Sequence, residues 1–180
     1  MCRLWTFLLL VTHLSFLSAE PLSTHLYTLP FEADSALQRI IKTIDSSHNR
    51  IDAAIYSFTH KTIAKHLAKA AKRGVKIRII FDKSANLHNR KSQLGYLAKY
   101  RNIETLVLEG KPYRKNRSEK ALMHMKVMIV DNRRVVMGSA NWTYSGFGKN
   151  YEVLCFIDDY GMAKQLERAF ERMVKRTEVY

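Results

Sequence analysis

His124 and Lys126 stand two residues apart in the run His124-Met125-Lys126-Val127-Met128-Ile129-Val130-Asp131, and Gly138-Ser139-Ala140-Asn141 follows shortly after. Side chains alternate along a strand, so residues two apart share one face, about 6.6 Å from one another. The first run therefore pairs a nitrogen nucleophile with a cation. The second puts Ser139 and Asn141 on one face, with Gly138 expected to let backbone come close to a ligand. Such groups suit a phosphodiester. Its cleavage without a metal needs a nucleophile, a positioned acid for the leaving oxygen, and donors for the non-bridging oxygens. One histidine cannot be nucleophile and acid in the same step. His13, His25, His48, His60, His66 and His88 all lack a lysine two places on, so the chain holds half of such a site.

The spacing H-x-K-x4-D-x6-G-S-x-N resembles the signature of the phospholipase D superfamily. Most of that superfamily carry the motif twice, whereas small bacterial nucleases and their mitochondrial relatives carry it once and pair two subunits. Over nearly all of residues 23–180 the chain is similar to the bacterial branch; the mitochondrial branch has a cysteine and histidine zinc insertion that is not found here. The resemblance implies an α/β fold, a mixed central β-sheet flanked by helices, with the active site at a homodimer interface. It implies that His124 of one subunit attacks phosphorus while the partner's His124 protonates the leaving group. Lys126, Ser139 and Asn141 would hold the non-bridging oxygens. Similar nucleases also place a glutamate where Glu152 stands, hydrogen-bonded to the catalytic histidine, which would fix its tautomer. Asp131 lies five residues after Lys126, an odd interval that turns it to the opposite face of a continuous strand, and the family's aspartate supports the loop between two strands. No cofactor is implied, and the sequence has no H-E-x-x-H or C-x-x-C.

The elements that must position these groups alternate in type. Ser23 to Leu29 reads as a strand ended by Pro30, and residues 34–46 as a helix with Leu37, Ile40, Ile41 and Ile44 at helical spacing, capped by Asp34 or Ser35. Residues 51–58 form a β-rich run. A helix over 62–73 turns Ile63, Leu67 and Ala70-Ala71 inward and stops at Gly74. A strand over 75–81, a helix over 91–100 and a strand over 103–108 come next. Two motif strands, a strand over 151–157 and a C-terminal helix starting near Asp158-Asp159 complete a single domain over residues 20–180. The run from Ala54 to Thr59 also resembles the family's second strand.

The formal charge is +14. Residues 1–19 carry one cation, Arg3, an apolar stretch from Leu4 to Leu17, and Ser18-Ala19, and so read as an export signal. As a helix the apolar stretch reaches about 21 Å, short of the ~30 Å hydrocarbon core. Cleavage after Ala19 leaves +13; bulky Leu17 keeps an uncleaved, membrane-tethered form as the alternative. Cys155 then stands alone, expected as a small buried apolar residue. A field this positive implies a polyanionic partner, nucleic acid or anionic membrane. Lys111, Tyr113, Arg114, Lys115, Arg117 and Lys120 lead into His124 as a basic lip expected to guide a strand. Phe58, Trp142, Tyr144 and Phe147 flank the expected cleft as candidates for stacking on unpaired bases.

These readings converge on an exported, metal-independent, homodimeric nuclease acting on DNA, single-stranded DNA first, with RNA as a further substrate. Two alternatives remain: a phospholipase acting on phospholipid head groups, which needs an apolar entrance for acyl chains, and a non-catalytic nucleic-acid receptor of the envelope, for which charge alone suffices.

Overall fold

The computed structural model describes residues 23–111 and 121–180; the expected leader lies outside them. One eight-stranded sheet organises the chain, in the order β1-β7-β6-β5-β2-β3-β4-β8. Its strands are β1 (Ser23–Leu29), β2 (Arg50–Ile55), β3 (Lys76–Asp82), β4 (Ile103–Leu108), β5 (Lys126–Val130), β6 (Arg134–Gly138), β7 (Glu152–Asp158) and β8 (Glu178–Val179). β2, β3 and β4 run parallel and every other pairing is antiparallel, so the sheet is mixed. The parallel strands are largely apolar because both their faces are covered, and the polar exceptions Asp52 and Arg78 pair with each other.

On one face pack α1 (Ala33–Asp45) and α2 (Lys61–Lys72), burying Ile40, Ile44, Ile63 and Leu67 against Ile51, Ala53, Ile79, Met128 and Phe156. Each such side chain contributes roughly 1.5–3 kcal/mol on burial. Gly74 ends α2 at φ 104°, a left-handed conformation that glycine adopts without strain. On the other face lies α6 (Tyr160–Val174), with Ala163 and Phe170 over Ala54, Ile80 and Ile129. The Asp159 carboxylate caps α6 by accepting from the Met162 N–H. Glu171 fixes the rotation of this helix, accepting from Arg50 at 2.9 Å and Arg78 at 2.6 Å, while Arg78 forks onto buried Asp52.

Two expectations about this frame change. The helix expected over 91–100 contracts to α4 (Leu94–Leu97), because Asn89 accepts from the Lys91 N–H and Ser92 bonds Asn86, tying the preceding residues into turns. Neither Asp34 nor Ser35 caps α1. The N-cap position falls two residues before Asp34, at Glu32, whose carboxylate reaches back to the N–H and hydroxyl of Thr28. Short helices α3 (Lys83–Asn86) and α5 (Tyr144–Gly148) complete the fold. Among the described residues no helix is long and apolar enough to cross a membrane.

Candidate active site

His124 and Lys126 stand where β2 ends and β5 begins, and the chain leaves β6 toward β7 at the same edge of the sheet. Open α/β sheets hold ligands outside the carboxyl ends of parallel strands, where neighbouring connections diverge. β5 starts only at Lys126, opposite Ile55, so His124 stands just before the strand rather than within it. Two hydrogen bonds hold it in place. The buried Asp82 carboxylate accepts from the Met123 N–H at 2.8 Å, and the Met125 carbonyl accepts from the Tyr56 N–H at 2.8 Å.

His124 is exposed, whereas Lys126 is 7% exposed. The Lys126 ammonium donates to the His124 carbonyl at 2.9 Å and lies 3.1 and 3.0 Å from Nδ1 and Nε2 of the same ring. Burial pulls the lysine pKa below its ordinary value, against the upward pull of the Glu152 carboxylate. Tyr56 closes the other side of the histidine, with ring centroids 4.6 Å apart, and its ring also faces Lys126 Nζ at 5.2 Å. Tyr56 is not among the residues that the sequence singles out for the site. Its signal is a polar aromatic directly after the apolar residues that end β2, at the carboxyl end of a parallel strand. Asn86 fixes the segment, donating to the Tyr56 carbonyl at 2.7 Å.

Ser139 and Asn141 lie just beyond β6. The Ser139 Oγ accepts from the Val153 N–H at 3.1 Å, which leaves its own proton to donate elsewhere. The side-chain oxygen of Asn141 is buried and meets no hydrogen-bond partner among the described residues. Buried polar atoms that the protein itself leaves unmatched concentrate at sites completed by something else. Gly138 has a different reason from the one expected: a Cβ there would stand 2.1 Å from the Val153 carbonyl, so the glycine lets β6 and β7 approach each other, not a ligand.

Glu152 opens β7 and accepts from Asn150 at 3.3 Å. Within one chain no hydrogen bond joins it to His124 among the described residues; its influence there falls on Lys126. Asp131 sits away from this cluster, in the β5–β6 turn, where it and Asn132 take φ of 52° and 57°. Its carboxylate accepts from the N–H groups of His48, Asn49 and Arg50 at 2.8–3.0 Å and pairs with Arg134 at 3.2 Å. Burial alone would raise this carboxyl, yet the three backbone donors and Arg134 hold it below its ordinary range.

The aromatic candidates separate. Phe58, Trp142 and Phe147 are 0%, 1% and 4% exposed and cannot stack on a base. Phe58 and Trp142 meet edge to face at 5.0 Å and form a bridge between β2's extension and the crossing after β6. The Trp142 carbonyl accepts from the Thr59 and His60 N–H groups at 2.9 Å. They are core because the loop bearing Ser139 and Asn141 must be pinned to the sheet. Tyr144 is exposed, with one ring face on His60 at 4.2 Å. Of the basic lip, Lys111 is exposed, while Tyr113, Arg114, Lys115, Arg117 and Lys120 lie outside the described residues. Cys155, expected to be buried, is partly exposed on the α6 side of the sheet. No cluster of three or more His, Cys, Asp or Glu side chains suited to a metal forms among the described residues.

Residues 40–174 match the family model described as cardiolipin synthase, PLD-like domain. The chain belongs to the phospholipase D superfamily. Among solved structures of this superfamily's fold, NucT from Helicobacter pylori superposes with a TM-score of 0.86 at 35% identity, covering 89% of this chain and 100% of that one. Nuc from Salmonella typhimurium, a phospholipase D family member, gives 0.75 at 28% identity, covering 89% and 99%. The mitochondrial cardiolipin hydrolase of Xenopus laevis is 28% identical over 140 residues, 78% of this chain and 61% of that protein. The chain thus spans about three fifths of the length of that hydrolase.

Proposed function

We propose that the protein is an exported, homodimeric nuclease that hydrolyses phosphodiester bonds in single-stranded DNA, and in RNA, through a phosphohistidine. The observation that carries this reading is the exposed His124 ring beside the buried Lys126 ammonium, present once per chain. A lysine ammonium has donors only, and beside the ring it supplies positive charge for the non-bridging oxygens of a phosphate that reaches the histidine. In the first step a ring nitrogen of His124, its lone pair free, bonds phosphorus as the P–O bond in line with it breaks, and the partner's His124 gives its proton to the departing oxygen. In the second the partner's His124 takes a proton from water, whose oxygen displaces the histidine. Lys126, Ser139 and Asn141 hold the non-bridging oxygens, and Glu152 supports Lys126 and the histidines. The charge of +14 supplies the long-range attraction to a polyanion.

A second copy is needed for the acid, and the surface offers a place for one. Leu26, Cys155, Met137 and Val127 stand opposite one another across four strands, on the α6 side of the sheet. Leu26 and Val153 are 55% and 44% exposed, and an apolar cleft of about 410 Å³ runs from His124 and Lys126 over Met137, Val153 and Cys155 to Leu166. Uncovered apolar surface of this kind marks an interaction face. Its continuity with the motif supports a dimer that joins two half-sites.

A second reading, hydrolysis of a phospholipid head group at the membrane surface, draws on the hydrolase relatives and on the apolar residues Leu108, Leu122, Met123 and Met173 beside His124. One assay separates the two: purified protein with labelled single-stranded DNA, duplex, RNA and phosphatidylcholine, each with and without EDTA. The nuclease reading expects single-stranded DNA to be cut with EDTA present and the His124→Ala variant to bind without cutting. Turnover of the lipid alone, or loss of all activity on chelation with rescue by Mg²⁺, sinks it.

A further inference from the structure

A second cleft starts at His124 and runs away from the apolar face described above. It encloses about 720 Å³ between the end of β4, residues 122–125 and the last turns of α6. That is the size of a site for a drug-sized molecule, so of one or two nucleotides. Its floor is apolar, with Leu122, Met123 and Met173. Along one wall stand Arg172, in the last turn of α6, and Arg176, in the turn that follows the helix, and neither guanidinium has an ion pair or hydrogen bond among the described residues. The acids of the opposite wall are engaged: Glu178 holds Lys83 at 2.9 Å, and Glu109 acts on the same ammonium. Glu171, between the two sides, is turned to Arg50 and Arg78. The cleft therefore presents free positive charge over a hydrophobic floor.

From this arrangement we propose that the cleft is the binding groove for the nucleotides flanking the scissile phosphate of a single-stranded nucleic acid, with Arg172 and Arg176 on successive backbone phosphates. This rests on the nuclease reading. Arg172 and Arg176 are four positions apart where the chain leaves α6, and their long guanidinium side chains can reach neighbouring phosphates of an extended strand. Guanidinium binds phosphate through a planar fork and also lies flat on bases, while the methionine floor accepts the apolar face of a base. An acyl chain would gain nothing from two free cations along its length. Two-fold symmetry extends the idea. If two copies meet at one phosphate, the cleft of each chain leaves it in opposite directions, and the strand is gripped on both sides of the cut.

The test compares a 12-nucleotide single strand with thymidine 5′-(p-nitrophenyl phosphate), a diester too small to reach the wall. In the Arg172→Ala/Arg176→Ala protein the ratio of kcat/KM for the strand to that for the small diester should fall at least tenfold, chiefly through KM. The dependence of strand binding on salt should flatten by about 0.7 for each phosphate no longer neutralised. The Arg172→Lys/Arg176→Lys protein, which keeps the charge, should retain most of that slope. A parent enzyme that cuts the strand, with ratio and slope intact in the alanine variant, overturns the groove while the nuclease reading stands. A parent that hydrolyses the small diester and neither binds nor cuts the strand overturns both. Loss of turnover on phosphatidylglycerol vesicles with the strand ratio intact assigns the cleft to lipid and also overturns the groove.

Discussion

The Lys126 ammonium donates to the carbonyl of His124 at 2.9 Å while its Nζ lies 3.0 Å from Nε2 of the same residue, so the cation is held by the backbone of the residue it serves. The arrangement costs desolvation, because Lys126 is buried, and it preorganises a positive charge where phosphate oxygens would arrive. Removing such a donor typically costs about 10²–10³ in kcat. Lys126→Ala should therefore lose about that factor on a small phosphodiester, with an unaltered circular-dichroism spectrum. A loss below fivefold would mean that another group stabilises the charge.

The same burial sets a pH dependence. The pKa of Lys126 is lowered by burial and raised by Glu152, so the charged form, and with it activity, should be lost as pH rises through a value below 10.5. Removing the carboxylate charge takes away the upward pull. In Glu152→Gln the basic limb of the kcat/KM profile should move to lower pH than in the parent. A basic limb that stays in place would place Glu152 out of electrical reach of the lysine.

Asp131 makes a prediction about stability. Its side chain is 15% exposed and joins the β5–β6 turn to the start of β2 through three backbone N–H groups. Hydrogen bonds to a charged acceptor contribute about 1.5–3 kcal/mol each, and less where the donor residue is exposed, as at His48 and Asn49. Asp131→Ala should lower unfolding free energy by about 2–4 kcal/mol in urea at pH 7. Because the folded carboxyl is depressed, its contribution is complete above the ordinary aspartate pKa of 3.8 and is lost as pH falls below that value through the folded one. The gap between parent and variant should therefore narrow on acidification. An equal gap at pH 7 and pH 2.5 would contradict this.

Much of this was legible in the sequence, and the exceptions share a cause. The strand over Ile103–Leu108 and the helix on the residues after Asp159 follow from apolar periodicity and a capping carboxylate, both local signals. His124 and Lys126 meet as spacing suggested, while Ser139 and Asn141 follow the end of the neighbouring strand β6; His124 and the Ser139–Asn141 pair stand outside the strands. What could not be read was long-range. Trp142 and Phe58 are separated by 84 positions and pack edge to face, so neither pattern betrays that they are core. Asp82 grips Met123 across 41 residues, and the sequence near either gives no hint of it. Gly138 looked like a ligand position because the neighbouring strand, which demands it, joins only through a later turn.

The dimer prediction concerns the open apolar face. Leu26 lies on β1, opposite Cys155 and away from the motif, and is 55% exposed. A charge there has no cost in a monomer but is buried without a partner in an interface. Leu26→Asp should sediment as a monomer at micromolar concentration and lose turnover in proportion, with activity rising more than linearly as protein is concentrated. A monomeric Leu26→Asp protein with full activity per chain would rule out the shared site.

Strand preference follows from the same geometry. If both His124 rings meet at one phosphate, the opening is bounded by two α6 helices and two segments leading into the motif, and a duplex roughly 20 Å wide must rest on the rim while a single strand can thread it. Lys111 is exposed at the start of the basic lip, and Arg114, Lys115 and Arg117 continue it in sequence. Of the aromatic candidates only Tyr144 has an exposed ring, so base stacking at this rim rests on one side chain, worth ~1–3 kcal/mol. Single-stranded DNA should be cut at least tenfold faster than duplex of the same sequence at equal ionic strength. Neutralising Arg114, Lys115 and Arg117 together should weaken binding and flatten its salt dependence by about 0.7 for each phosphate that regains its counterions. Tyr144→Ala should raise KM for the strand about tenfold while leaving the salt slope alone, since stacking releases no counterions. Equal rates on the two DNA forms, together with an unchanged slope in the triple variant, would show that neither the narrow opening nor the basic lip selects the substrate.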